Sequence, residues 1–370
     1  MRKQIVGNSI EKIMNVSLNT NPEHGIIEMT APCRIDMGGT LDMAAFYYSL
    51  GRLQPVTFNI ALALRTRVRL YPYKKGYVKV SSKGFDTAEF VLEDAPFDHP
   101  LGLMFAVAAY FDADGILIDI ESASPPRSAL GGSSVAAVAL CGAFLKLTDP
   151  GISDDALRKQ AAMTAFYIES SIASGPCGIQ DHLAAAYGGV NAWYWKKHHT
   201  GPLYNKAEII GAQGYKHIED RLLIAYCGEP HESMNVNSTW VRQFLNGVNR
   251  KDWIEIVSCT HAFIKALSDE DYQKLYPLMN RETEIRRQMT PHVLDDIGVK
   301  LVDMANEINC GVRFTGAGGG GCVWALCEKE NRPQLTSGWQ QILKSRNSAF
   351  LLDTKIDPEG LIGKKDFQTG

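Results

Sequence analysis

From Val56 to Leu70 apolar and polar positions alternate, with Thr66, Val68 and Leu70 set between Arg65, Arg67 and Arg69. A period of two predicts a long strand, apolar on one face and basic on the other, the arginines reading as a solvated strand face. An extended segment over 26–36 precedes it. Pro100 opens a helix reaching Tyr110, and 115–121 reads as a strand entering the loop Ser122-Ala123-Ser124-Pro125-Pro126. Helical periodicity then starts near Ser133, Ser153 and Asp181. Strands are predicted over 189–195 and 221–227, helices almost throughout 237–309, and strands again over 312–315 and 322–326. A helix at 333–344 and a last strand at 349–356 complete the pattern. Strands and helices come in mixed rather than strictly alternating order, so the expected class is α+β. The polar, glycine-containing stretch 196–214 is the natural boundary, dividing the chain into domains 1–200 and 201–370.

Composition removes several classes. Lys+Arg 38 against Asp+Glu 41 leaves a charge of -3, which argues against a broadly basic nucleic-acid surface. The richest apolar run, 135–145, contains Gly142 and ends before Lys146, short of the roughly 20 residues a membrane helix needs. The first 25 residues lack the apolar core of a signal peptide, and the eight cysteines show no C-x-x-C pair. We therefore expect a cytoplasmic protein with buried thiols, engaging neither nucleic acid nor membrane, as a monomer or homodimer.

The 33 glycines are a mild surplus, and their positions mark candidate chemistry. In Ser124-Pro125-Pro126-Arg127-Ser128-Ala129-Leu130-Gly131-Gly132-Ser133-Ser134 two prolines stop a strand. Two glycines allow close backbone approach, and two serines stand at the expected cap and first turn of an Ala/Val-rich helix. Free N–H groups at such a helix start attract anions, and the hydroxyls suit phosphate or magnesium; a well-capped helix after a tight turn is the plainer alternative. Gly316-Ala317-Gly318 with Gly321 matches G-x-G-x-x-G, but the residues after it are β-prone. Strand–glycine loop–strand fits better than a dinucleotide site, the loop packing on a phosphate or on another loop. Asp181 follows a glycine- and proline-containing loop and opens a short helix, as a cap or as a general base. Arg34, Asp36 and Asp42 flank the turn Gly38-Gly39-Thr40, where a lone arginine is usually a salt-bridge partner.

Together these segments resemble the GHMP kinase superfamily, named for galactokinase, homoserine kinase, mevalonate kinase and phosphomevalonate kinase. Residues 125–136 resemble its phosphate-loop signature, with Ala129 in place of one glycine and Gly132 as an extra one. Residues 315–321 resemble its C-terminal glycine-rich signature, and 31–42 its substrate signature. Cys177-Gly178-Ile179-Gln180-Asp181-His182 is similar to a galactokinase stretch, whereas Gln180-Asp181 followed by Ala184-Ala185-Ala186-Tyr187-Gly188-Gly189-Val190-Asn191 is closer to the heptose and fucose kinase branch.

The resemblance implies a two-lobed α+β kinase. Its N-terminal lobe would be built like the second domain of a small-subunit ribosomal protein, and its C-terminal lobe would be ferredoxin-like. It implies ATP and magnesium, and transfer to a hydroxyl, the anomeric one first, of a monosaccharide or sugar derivative. A mevalonate-type alcohol kinase and a non-catalytic sugar or nucleotide sensor are the alternatives. By position, Pro126, Ser128, Ala129, Leu130, Gly131, Gly132, Ser133 and Ser134 inherit phosphate binding. Ser134 inherits the metal together with Glu169, twelve residues before Asp181. Asp181 matches the base and Arg34 the arginine beside the transferred phosphate. Gly316, Ala317, Gly318, Gly319 and Gly320 form the third motif. Gly39, Thr40, Gly178 and His231 are implied for the substrate, with Asp42 preferred over Asp36 as the sugar-binding acid. Arg127 departs from the pattern and reads as solvent-facing or phosphate-touching. His231, Glu232 and Asn235 follow a strand whose end lines the pocket in relatives, an ordinary polar loop being the other reading.

Overall fold

The computed structural model describes residues 27–197, 201–229 and 233–363. Along the chain come β1 (Ile27–Met37), α1 (Ala44–Ser49), β2 (Val56–Pro72), β3 (Tyr77–Ser82), β4 (Ala88–Val91), α2 (Gly102–Tyr110) and β5 (Ile116–Ser122). Three helices follow, α3 (Gly132–Thr148), α4 (Asp154–Ile172) and α5 (Gln180–Tyr187), then β6 (Val190–Trp195) and β7 (Tyr204–Ile210). These strands form one sheet in the order β12-β1-β2-β5-β3-β4, with β6 joining β2 to β7; β12 (Ile362–Gly363) returns from the C-terminus. β1 and β2 run antiparallel from Ile27↔Leu70 to Met37↔Phe58. The register slips at Pro32, which has no N–H to give a ladder. α3 lies on β1 and β2, and α5 on β1, so most of β1 is buried on both faces.

The predicted helices form for identifiable reasons. α3 is apolar nearly all round and is accordingly buried, with α4 packed against it. α4 starts at Ser153, whose hydroxyl accepts the Ala156 N–H, with Asp154 and Asp155 in the first turn facing the positive helix end. The three arginines of β2 are not a bare solvated face. Arg69 lies 2.8 Å from Asp119 on β5 and Arg67 3.5 Å from Glu121, while Arg65 pairs with Asp357.

The second layer begins with α6 (Tyr215–Glu219) and β8 (Leu222–Tyr226) and continues through α7 (Ser233–Leu245), α8 (Arg250–Ser268), α9 (Tyr272–Met289) and α10 (Asp296–Glu307). It closes with β9 (Gly311–Phe314), β10 (Cys322–Leu326), α11 (Arg332–Leu343) and β11 (Phe350–Leu351). The four strands of this layer form an antiparallel sheet, β11-β8-β10-β9. α8 joins the layers: the Trp253 ring centroid lies 4.1 Å from that of Phe46 of α1, the rings tilted by 37°, and Phe263 meets Phe58 of β2 edge-on at 5.2 Å.

Two expectations change. The stretch 196–214 is not a plain linker, because β7 within it extends the first sheet. The strand expected at 349–356 shrinks to Phe350–Leu351; beyond it the chain leaves the second sheet and Ile356 bridges Leu62 on the first, so one continuous ladder is impossible. Short β3 and β4 supply an edge that the hydrophobic pattern does not announce. Seven of the eight thiols are buried, as expected. Among the described residues no helix is long and apolar enough to cross a membrane.

Candidate active site

A cavity of about 760 Å³ opens where the loop after β5, the start of α5, the turn after β1 and the β9–β10 loop converge. The loop after β5 alternates in handedness: Arg127, Ala129 and Gly131 all have positive φ. Alternating conformations of this kind turn successive N–H groups toward one side and make an anion nest. Gly131, not a serine, is the N-cap of α3. At Gly131 φ is +82° and a Cβ would lie 3.1 Å from the Asp181 carboxyl, so any side chain there would be strained and tight against that acid. The serines expected at the cap stand one step inside the helix and turn to Glu169: Ser133 Oγ donates to Oε1 at 3.2 Å and Ser134 Oγ to Oε2 at 2.7 Å. The first-turn N–H groups of α3 therefore stay free of side-chain caps at the cavity wall.

Glu169 also has His182 Nε2 2.7 Å from Oε2. Burial opposes its charge, but the His182 contact and the two serine hydroxyls outweigh burial and hold its carboxyl below the usual range. The result is a carboxylate and a hydroxyl oxygen side by side, a hard donor set that suits magnesium, which fills its remaining positions with water and phosphate oxygens. Among the described residues no cluster of three or more His, Cys, Asp or Glu that could hold a metal gathers.

Arg34, near the middle of β1, reaches two elements at once. Its Nε donates to Asp181 Oδ1 at 2.8 Å, its Nη1 to the Ala129 carbonyl at 2.6 Å, and its backbone N–H to Leu130 O at 3.2 Å. Burial works against the guanidinium charge, but Asp181 and Asp36 overcome it and hold its pKa above the usual value. Asp181 lies in the first turn of α5, partly exposed to the cavity, and does not cap that helix. The α5 cap comes from far away: Asp42 Oδ2 accepts the Gln180 N–H at 2.9 Å.

The two acids of the glycine turn diverge. Asp42 Oδ1 is buried without a hydrogen-bond partner on the cavity wall, and burial pushes its carboxyl up to about 6. Asp36 is not on the wall. Its Oδ1 accepts the Gly316 N–H at 2.6 Å and its Oδ2 the Arg313 Nη1 at 3.0 Å, which removes it from contact with any ligand of the cavity.

Of the other expected residues, Thr40, Gly178, Pro126, Ser128, Gly132, Gly316 and Ala317 line the cavity. Arg127 lines it too, with an exposed side chain. Gly39 and Leu130 do not, the first because Arg286 holds its carbonyl and the second because it is packed in the core. Gly318 and Gly319 turn away to Val293, whose carbonyl accepts the Gly319 N–H at 2.8 Å, and Gly320 is likewise off the wall. The glycine hairpin does pack on another loop, since Gly316 and Gly321 abut Ala129 and Ser128. His231 and Glu232, and the side chain of Asn235, lie outside the described residues. The residue pattern missed Gln180, held by Asn59 Nδ2 at 3.1 Å, together with His182 and Asn237, whose Oδ1 is a second buried, unpartnered oxygen on the cavity wall. Gln180 and His182 flank Asp181, the one signal that could have found them.

The family model described as GHMP kinases N terminal domain matches residues 100–189, a span holding the nest, Glu169 and Asp181. The model described as GHMP kinases C terminal matches 263–344, which holds the glycine hairpin. "Probable glucuronokinase 2" of Arabidopsis thaliana is 30% identical over 151 residues, 38% of this chain and 39% of that protein, so the aligned stretch spans well under half of the relative. The mevalonate kinase of Pyrococcus abyssi (strain GE5 / Orsay) is 24% identical over 324 residues, 81% of this chain and 89% of the relative. Among solved structures, Lactococcus lactis galactokinase complexed with galactose superposes with a TM-score of 0.69 at 15% identity, covering 95% of this chain and 99% of that one. A D-glycero-D-manno-heptose 1-phosphate kinase from Bacteriodes thetaiotaomicron gives 0.68 at 14% identity, covering 92% and 99%. At such identities these structures show a shared fold.

Proposed function

The chain belongs to the GHMP kinase superfamily, and we propose that within it this protein transfers the terminal phosphoryl group of ATP to a hydroxyl of a neutral monosaccharide, the anomeric hydroxyl first. The observation that carries the transfer is Arg34: one guanidinium touches both the candidate base Asp181 and the carbonyl of Ala129 in the anion nest. The nest and the start of α3 receive the phosphates. Asp181 takes the proton from the attacking hydroxyl, and Arg34, pinned by Ala129 O and Asp181, shares the charge of the transferring group. Phosphoryl transfer asks a protein for positioning and charge stabilisation, which this arrangement offers. Magnesium held by Ser134 and Glu169 would neutralise phosphate charge.

The choice of a neutral acceptor rests on the wall beside Asp181. Asp42 Oδ1 and Asn237 Oδ1 are buried oxygens in need of donors, and sugar hydroxyls supply them. A carboxylate acceptor such as mevalonate or a uronic acid would meet Asp42, ionised above about pH 6, while Arg34 is already committed to Asp181. The archaeal mevalonate kinases align over more of the chain than the glucuronokinases do, which makes a mevalonate-type alcohol the second reading. ADP formation from MgATP with neutral aldoses, uronic acids and mevalonate in parallel separates the two. Turnover with an aldose supports the proposal, and turnover with mevalonate alone rejects it.

A further inference from the structure

Behind the cavity wall the molecule buries an unbroken ladder of alternating charges. Arg286 of α9 lies against the Trp240 and Trp253 rings, 4.7 and 4.8 Å from their centroids, and its Nε donates to Glu282 Oε1 at 2.9 Å. Glu282 Oε2 accepts Arg313 Nε at 2.8 Å, and Arg313 Nη1 donates to Asp36 Oδ2 at 3.0 Å. Asp36 Oδ1 lies 3.6 Å from Arg34 Nη1, and Arg34 holds Asp181. The side chains of Asp36, Glu282, Arg286 and Arg313 are all wholly buried. Burial opposes the Glu282 charge, but Arg313 and Arg286 outweigh it and keep its carboxyl low.

Such a ladder is a poor way to gain stability, because desolvating charges costs about as much as their pairing returns and apolar packing does as well. Its two ends explain it better. One end is Arg34. At the other, Arg286 Nη1 donates to Thr40 Oγ1 at 2.9 Å and Nη2 to Gly39 O at 2.7 Å. Thr40 has φ +73°, a left-handed conformation that β-branched residues avoid and that persists only where the surroundings enforce it. Two residues later stands Asp42.

We propose that this ladder positions both ends of the reaction: Asp36, Arg313 and Glu282 fix Arg34 for the phosphoryl group, and Arg286 fixes the Thr40 turn that presents Asp42 to the acceptor. The role rests on the kinase reading above. It makes Asp36 a positioning residue rather than a substrate ligand. The six side chains from Arg286 to Asp181 balance three positive against three negative charges. Replacing Asp36 by Asn keeps the shape and an acceptor for the Gly316 N–H, but removes the negative charge between Arg34 and Arg313 and leaves the ladder with three positive charges against two negative.

The test is steady-state kinetics of the wild type, Asp36→Asn, Glu282→Gln and the double variant Asp36→Asn/Arg313→Gln, each checked for native circular dichroism. Positioning through charge predicts that Asp36→Asn lowers kcat about 10- to 100-fold while the nucleotide KM stays within about twofold. The double variant, with balance restored, recovers part of that loss. Wild-type kcat in Asp36→Asn, or a double variant no better than the single one, overturns the proposal. If Asp36→Asn does not fold, Glu282→Gln carries the same expectation of lowered kcat at unchanged nucleotide KM. If neither folds, the ladder is a folding element and the proposal falls. A wild type inactive with every acceptor overturns the kinase reading and this role with it; an active wild type beside unchanged variants overturns this role alone.

Discussion

Asp36 and Asp42 leave the same glycine turn, yet one is saturated by Arg313 and Gly316 while the other keeps an oxygen unpartnered at the cavity. Because burial raises the Asp42 pKa from 3.8 to about 6, the folded protein binds that proton more tightly than the unfolded chain. Its contribution to stability is therefore complete below pH 4 and lost as the pH rises through 6, a difference of about 3 kcal/mol. Asp42→Asn should raise the melting temperature at pH 8, with the gain vanishing below pH 4, and should raise the acceptor KM; a lower melting temperature at pH 8 would count against the buried charge. Asp181→Asn should cut turnover by about 10²-fold or more with nucleotide binding nearly intact, since it removes the base and the charge that Arg34 pairs with but leaves the anion nest in place. Wild-type turnover in that variant would remove Asp181 from the mechanism. Glu169→Gln should raise the magnesium concentration needed for half-maximal rate, read from a metal titration, and an unchanged titration would reject Glu169 as a ligand. Motif and spacing singled out Asp181, Glu169 and Ser134, and the fold brings the three to one cavity. His182 was not legible, because its value lies in one contact with Glu169 that only folding creates, and the choice between Asp36 and Asp42 needed hydrogen-bond accounting that no pattern carries.

Among the elements, long periodic segments were legible and short dependent ones were not. β2, α3 and α4 carry enough period-two or helical signal to stand alone, whereas β3, β4 and β7 are defined by the neighbours that pair with them. The glycine-rich segment was correctly a hairpin, because Cys322–Leu326 is β-prone and pairs back on Gly311–Phe314. The conformation of its loop was not legible. Gly318 has φ +73°, and a Cβ there would lie 2.4 Å from the Val293 carbonyl, so backbone must move for any side chain to fit. Gly318→Ala should cost about 1–3 kcal/mol in urea denaturation. A cost below about 0.5 kcal/mol would mean that the loop does not depend on this contact.

The whole molecule places its chemistry between two sheets, with α1 and α8 as the aromatic joint and the charge ladder running from α9 through β9 to β1. The overall architecture was legible through three signatures in order. The lobe division at 200 was not, since β7 and β12 both belong to the first sheet and the chain crosses between layers more than once. A ligand that binds this folded cavity must stabilise the molecule by mass action, about 2.7 kcal/mol at a hundredfold excess over Kd. Phosphorus NMR of the wild type with MgATP and a neutral aldose tests phosphoryl transfer to the sugar most directly. A new sugar phosphate resonance coupled to the anomeric proton should grow as ADP forms and be absent with Asp181→Asn. ADP without a sugar phosphate, or the same resonance at the same rate in Asp181→Asn, would contradict it.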